Sequence, residues 1–253
     1  MRNAIAKILT ALAPIALAAT AVAVAPQTAS AATAAYRLTY ARLPNGTSVP
    51  VRWNGCQTAI TYKVNLAAVP TAQRATVLSE THAAVRQLAG ATGFTFSYKG
   101  ATTEVPQVGS SAGQSAEIII AYTTPTKTNF YLAGNVLGVG GLSYYWSART
   151  VNGATTYSVA AQRGWVVIDT PDMLRLTRAG LGTGARRTNL LLHELGHAVG
   201  LQHVSDTRQQ MYPTLSSTSP QGYAISGDKI GLAKVGRGAG CINTQYLPLK
   251  DLS

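Results

Sequence analysis

Histidine is scarce in this chain, with four in 253 residues, and negative charge is scarcer than positive. Nine acidic residues face twenty-one Lys and Arg, a net charge of +12. Such an imbalance favours anionic surfaces or acidic substrates through long-range, salt-sensitive attraction, and says nothing about fold. The basic residues are scattered, without the aromatic-and-basic clustering of a nucleic-acid interface, so nucleic acid is not an expected partner. Only two cysteines are present, too few for a disulfide scaffold. Beyond the N-terminus no apolar run is long enough to cross a bilayer, which argues against stable membrane insertion. No internal repeat or linker divides the chain. A monomer is expected.

The N-terminus reads as a secretory leader over residues 1–31. Arg2 and Lys7 supply a positive start, Ile8 to Ala25 is alanine-rich and apolar, and Ala29-Ser30-Ala31 fits an A-x-A cleavage signal. Residues 32–253 then suit one domain, opening with an irregular segment over about 32–58. Export makes Cys56 and Cys241 most simply a disulfide. Closing so long a loop is worth about 5 kcal/mol by chain entropy.

Ile60–Asn65 alternates apolar and polar residues, as a half-buried strand does. A helix follows from Pro70 and Thr71, with Thr71 as N-cap and Gly90 as its end. Phe94–Tyr98 alternates again, and Ile118–Tyr122 suits a strand buried on both faces. After a glycine-rich passage, Gly134 to Gly141, come Leu142–Trp146 and Thr155–Ala160, with the hairpin signal Asn152-Gly153 between them. Trp165–Asp169 reads as one more strand. A helix is expected over about Arg186 to Val199, and Ser226 caps a last short helix with Asp228 in its first turn.

Three of the four histidines, His193, His197 and His203, fall within the eleven residues HELGHAVGLQH. On a helix, positions i and i+4 lie nearly above one another, so His193 and His197 reach one ion. Leu191, Leu195 and Ala198 point the other way, into the core. Glu194, one residue round, lies beside the ion, where a carboxylate meets a water on the metal. This is the helical H-E-x-x-H arrangement of zinc hydrolases, with the glutamate as general base. A catalytic zinc takes three protein ligands and keeps one position open. Gly200 provides the exit turn, because glycine accepts the left-handed conformation that ends helices. His203 then returns as third ligand.

The extended motif from His193 to His203 resembles that of the metzincins, and the chain is similar to their matrixin-like bacterial members. Met211, in Gln210-Met-Tyr-Pro213, resembles the Met-turn of that family, and Val51-Arg-Trp-Asn-Gly-Cys56 with Ala59-Ile-Thr-Tyr resembles the opening of secreted bacterial matrixin-like domains. The resemblance spans roughly residues 50–240. It implies an α+β zincin fold: a mixed twisted sheet of about five strands, an active-site helix and a C-terminal helix. It also implies a secreted zinc endopeptidase that holds an extended peptide against the sheet's edge strand. Gly141, Leu142, Ser143 and Tyr144 are the candidates for that edge. Tyr212, Pro213 and Thr214, in the stretch that runs on to Ser217, are candidates for the border of the pocket beyond the scissile bond.

The chain departs from animal matrixins in ways that limit the transfer. Cys56 sits in Trp-Asn-Gly-Cys-Gln-Thr rather than a Pro-Arg-Cys-Gly-type switch, so the disulfide is preferred over a thiol on zinc. With His82 the one histidine left over, read as a surface or boundary residue, a second histidine-rich zinc site is excluded by count. Asp169 and Asp172 are the candidate calcium ligands, too few to define a clear site, and calcium is left open. Tyr212 directly follows Met211 and is not read as a ligand. Asp206 and Arg208 read as a surface ion pair. The rival reading from another class is a zinc-containing extracellular binding protein with little peptidase activity. A binding role, however, has no need of Glu194 or an open zinc position.

Overall fold

The computed structural model describes residues 36–223 and 226–245, together with the dipeptide Ala6–Lys7. Apart from that dipeptide, the expected leader lies outside the described residues. In chain order the elements are β1 (Ala6–Lys7), β2 (Tyr40–Arg42), β3 (Ser48–Pro50), β4 (Ile60–Asn65), α1 (Thr71–Thr92), β5 (Phe96–Ala101), β6 (Ile118–Thr123), β7 (Gly138–Val151), β8 (Ala154–Asp169), α2 (Thr170–Leu176), α3 (Arg187–Ala198), β9 (Thr214–Leu215) and α4 (Ser226–Val235). Short 3₁₀ turns lie at Ser111–Gly113, Pro125–Lys127 and Arg237–Ala239.

Five strands form one mixed sheet in the order β5-β4-β6-β8-β7. The first four run parallel, and β7 joins the edge antiparallel to β8. This is the mixed α+β arrangement expected of a matrixin zincin fold. All six residues of β6 are buried, in keeping with its continuous apolar run. Helices α1 and α3 pack on the sheet around one main core, which includes Ile60, Leu88, Ile120, Val166, Leu191 and Leu195. Among the described residues no helix is long and apolar enough to cross a membrane.

Several elements differ from the sequence-based expectations. Thr71 is the first residue of α1 rather than its N-cap, which falls on Pro70. The helix passes Gly90, where a Cβ would meet open space, and stops at Gly93 in the left-handed conformation (φ 72°). The next strand starts at Phe96, not Phe94, because the left-handed turn at Gly93 must be completed first. Thr155–Ala160 and Trp165–Asp169 are one strand, β8. A register shift, with Ser143 opposite Arg163 but Tyr144 opposite Ala161, accommodates Gln162 as the extra residue of a bulge. The N-terminal segment is not wholly irregular: β2 and β3 form a small antiparallel hairpin. Ser226 is the first residue of α4, so it does not sit at an N-cap position.

Candidate metal centre

Helix α3 is buried at every position, and its path over the sheet explains the glycines of β7. A Cβ on Gly140 would overlap the Glu194 carbonyl, so only glycine lets helix and edge strand approach this closely. At its C-terminus α3 ends in a Schellman turn. The Gly200 N–H donates to the His197 carbonyl (3.1 Å), the Leu201 N–H donates to the Gly196 carbonyl (2.9 Å), and Gly200 has φ 108°. The Trp53 indole N–H donates to the Ala198 carbonyl at 3.0 Å, satisfying another orphan acceptor of the helix end. The Thr39 N–H donates to the Gly200 carbonyl at 2.8 Å, which straps the N-terminal segment over the exit.

That exit brings His203 back to the other two imidazoles. The three Nε2 atoms form a nearly equilateral triangle, with separations of 3.0 Å (His193–His203), 3.1 Å (His193–His197) and 3.1 Å (His197–His203). The Nδ1–H of His193 donates to the Gln210 carbonyl at 2.7 Å, and that of His197 to the Leu201 carbonyl at 2.8 Å. Both Nε2 atoms are therefore unprotonated, with lone pairs turned toward a common point. Burial, then the neighbouring His197 and His203, holds His193 well below the usual histidine range. Burial and His203 bring His197 down to about 3, and burial with the nearby Arg37 brings His203 to about 4. All three are neutral at pH 7.

Glu194 is fully buried, and neither carboxylate oxygen has a hydrogen-bond partner among the described residues. Burial raises its pKa well above the carboxylate range, with the Gly140 N–H acting in the opposite sense. A buried carboxylate without partners, one residue from His193 on the same helix, is costly by itself and is relieved by a cation and its ligands. Tetrahedral zinc with Zn–N of about 2.0–2.1 Å separates its nitrogen ligands by about 3.3–3.4 Å. The observed triangle lies within a few tenths of an ångström of that. Among the described residues, no other group of three His, Cys, Asp or Glu side chains is placed to hold a metal.

Met211 is buried beneath this centre, its Sδ against Gly196, where a built Cβ would come within 2.5 Å of the sulfur. The turn that carries it is held by Asp228 of α4. The Asp228 carboxylate accepts from the Gln210 N–H (2.6 Å) and, more weakly, from the Met211 N–H (3.4 Å). Burial lifts the Asp228 pKa to about 6 against the lowering effect of those two donors. The Gln210 side chain donates to the Asn189 carbonyl of α3 at 2.6 Å. Asp228 lies in the first turn of α4 as expected, but its contact with the Met211 turn joins residues 18 apart and has no signal in the sequence.

The candidate substrate residues fall in two places. Gly141, Leu142, Ser143 and Tyr144 lie on β7, the edge strand. Leu142 packs with Ala41, Leu43, Val51 and Val159, and the Ser143 hydroxyl accepts from that of Ser111 at 2.9 Å. Tyr212, Pro213 and Thr214 are half-buried after Met211, and Thr214–Leu215 pairs antiparallel with Ala6–Lys7. Asp206 and Arg208 form an exposed ion pair (2.9 Å). Asp169 caps α2 through the Asp172 N–H, and Asp172 pairs with Arg175 at 2.8 Å; neither joins a metal-binding group. His82 is half-buried, with its Nδ1 2.7 Å from the Tyr62 hydroxyl. Cys56 and Cys241 are joined as a disulfide and no free cysteine remains, so no thiol is available to a metal.

Compared with known proteins, residues 52–234 match the family model of the matrixin peptidases. A stretch of 44 residues is 46% identical to human matrilysin, covering 17% of this chain and 16% of that protein. The chain thus spans about a sixth of the curated relative it matches.

Proposed function

Because the chain belongs to the matrixin family, whose members are zinc metalloendopeptidases, we propose that it is a secreted endopeptidase that cleaves extended peptides with one catalytic zinc. The observation that carries this reading is the triangle of Nε2 atoms, with the buried, unpartnered carboxylate of Glu194 on the residue after His193. His193, His197 and His203 would hold the ion. Bound there, zinc supplies a Lewis acid that lowers the pKa of a water and polarises the scissile carbonyl.

The chain's own residues do the rest. Glu194 accepts the attacking water's proton on a carboxylate oxygen and delivers it to the departing amine. The Gln210 and Leu201 carbonyls fix the tautomers of His193 and His197. The outer edge of β7 at Gly138–Tyr144, to which no described strand is paired, offers backbone groups to an extended substrate. The disulfide and the leader-like N-terminus support an extracellular site of action.

Purified, zinc-loaded protein should cut a diverse pool of unstructured peptides, with a chelator abolishing the cuts and mass spectrometry reading the sites. Glu194→Gln should bind zinc as the wild type does and lower turnover by at least about a hundredfold. A Glu194→Gln protein that still turns over would remove the glutamate from its role. Zinc-loaded wild type that cuts nothing in the pool would favour the binding-protein reading.

A further inference from the structure

Strand β7 does not stop where the sheet does. Strand β6 pairs with β8 only from Gly164 to Asp169, while β7 and β8 stay paired back to Val151 and Ala154. Residues 144–151 of β7 therefore belong to a two-stranded ribbon that projects beyond the sheet, about 27 Å long at the usual rise per residue. Among the described residues no strand pairs with its outer edge. That edge is continuous with Gly138–Tyr144, which begins beside Glu194.

The ribbon has one aromatic face. Leu142, Tyr144 and Trp146 alternate along β7, opposite Gly164, Ala161 and Val159 on β8. Near its base this face is covered: Leu142, Val159 and Tyr157 pack with Ala41 and Val51 of the N-terminal segment. On the edge strand it is not. Tyr144 is 37% and Trp146 44% exposed, and the Trp146 ring lies 6.1 Å from that of Tyr157. Edge backbone groups at Tyr144–Trp146, to which no described strand is paired, beside exposed aromatics suit an added extended strand more than a globular surface. Such a strand sets every second side chain against Tyr144 and Trp146.

We propose that the β7–β8 ribbon is an extension of the substrate site, which selects long, extended polypeptides carrying apolar residues at alternate positions away from the scissile bond. This rests on the endopeptidase reading above. Antiparallel pairing, the more stable arrangement, lays the N-terminal side of the substrate along the ribbon.

The test uses one short core peptide cleaved in the pool, extended at its N-terminus by up to about eight residues, the length of the ribbon. Extensions with Leu at every second position should raise kcat/KM about tenfold over the core, as a few cross-strand contacts of ordinary strength would. All-Ser extensions should raise it less, and C-terminal extensions should not. Trp146→Ser should leave cleavage of the core unchanged and abolish the gain, and Trp146→Phe should restore most of it. A gain that survives Trp146→Ser, appears only for C-terminal extensions, or is absent altogether would overturn the proposal. Binding of the core and the Leu-alternating peptide to Glu194→Gln protein, read by calorimetry, separates this from the activity itself. Tighter binding of the extended peptide upholds the ribbon site even if no peptide is cleaved, and equal binding overturns it.

Discussion

Asp228 lies one residue away from His193: its carboxylate fixes the Gln210 N–H, and the Gln210 carbonyl fixes the His193 proton. Asp228→Ala strands a buried donor, costing about 1–3 kcal/mol of stability. Loss of such a supporting contact is expected to weaken zinc binding about 10–100-fold, measured by competition with a chromophoric chelator. Unchanged affinity would confine Asp228 to a structural role. The group also has a pH signature in zinc-free protein. Its folded pKa of about 6 lies above the unfolded value of about 3.9. The fold binds the extra proton between those values, so this contribution is full below about pH 4 and lost as pH rises through about 6. Urea unfolding at both ends of that window should show wild type losing stability relative to Asp228→Asn as pH rises; a constant difference would refute the assignment. The convergence of His193, His197 and His203, with Glu194 beside His193 in sequence, was legible because the spacing is local to one helix and its exit turn. Asp228 and Gln210 are 18 residues apart and meet only because α4 packs beneath the Met211 turn, which no periodicity records.

At the scale of elements, helix α3 is held at both ends. Trp53 and the Schellman turn secure its C-terminus. Its first residue, Arg187, forms a buried pair with Glu80 of α1 (2.7 and 3.1 Å), and Glu80 also accepts from the Gly180 N–H. Removing either partner leaves a buried charge uncompensated, a loss of about 3–5 kcal/mol. Glu80→Met and Arg187→Met should each destabilise by that order, and the double substitution by clearly less than their sum. Denaturation of all four proteins closes the cycle; additive losses would show that the pair is not coupled. Helix α3 and the buried strand β6 were legible from apolar content and period. The length of β8 was not, because the bulge at Gln162 and the ribbon beyond the sheet break the alternation that marks a strand. The buried pair was equally hidden, since Glu80 and Arg187 are indistinguishable from surface residues until α1 and α3 are packed.

Across the whole molecule, the Cys56–Cys241 bridge spans a sequence separation of 185 and joins the segment entering the sheet to the C-terminal tail. The tail is also stitched down by polar contacts. The Arg52 guanidinium donates to the Gly240 carbonyl (2.6 Å), and Asn54 exchanges two hydrogen bonds with the Ile242 backbone (3.1 and 2.9 Å). The pairing could be expected from two cysteines behind a leader-like segment; the stitching could not. These two kinds of constraint act on different states. The bridge acts mainly on the unfolded chain, where closing so long a loop is worth about 5 kcal/mol by chain entropy, while the hydrogen bonds hold the native tail in place without it. The metal centre has its own ties, through Trp53, Gly200 and Asp228, none of which passes through a cysteine. Replacing both cysteines by serine should therefore lower unfolding free energy by about 3–5 kcal/mol. Zinc affinity and the cleavage rate per folded molecule should stay within about twofold at 25 °C, a shift of under about 0.5 kcal/mol. Denaturant unfolding and active-site titration of the double variant measure the two separately. Lost stability with intact zinc binding would place the bridge outside the catalytic machinery, whereas a parallel fall in zinc affinity would show that the tail, through residues 52–56, supports the metal centre itself.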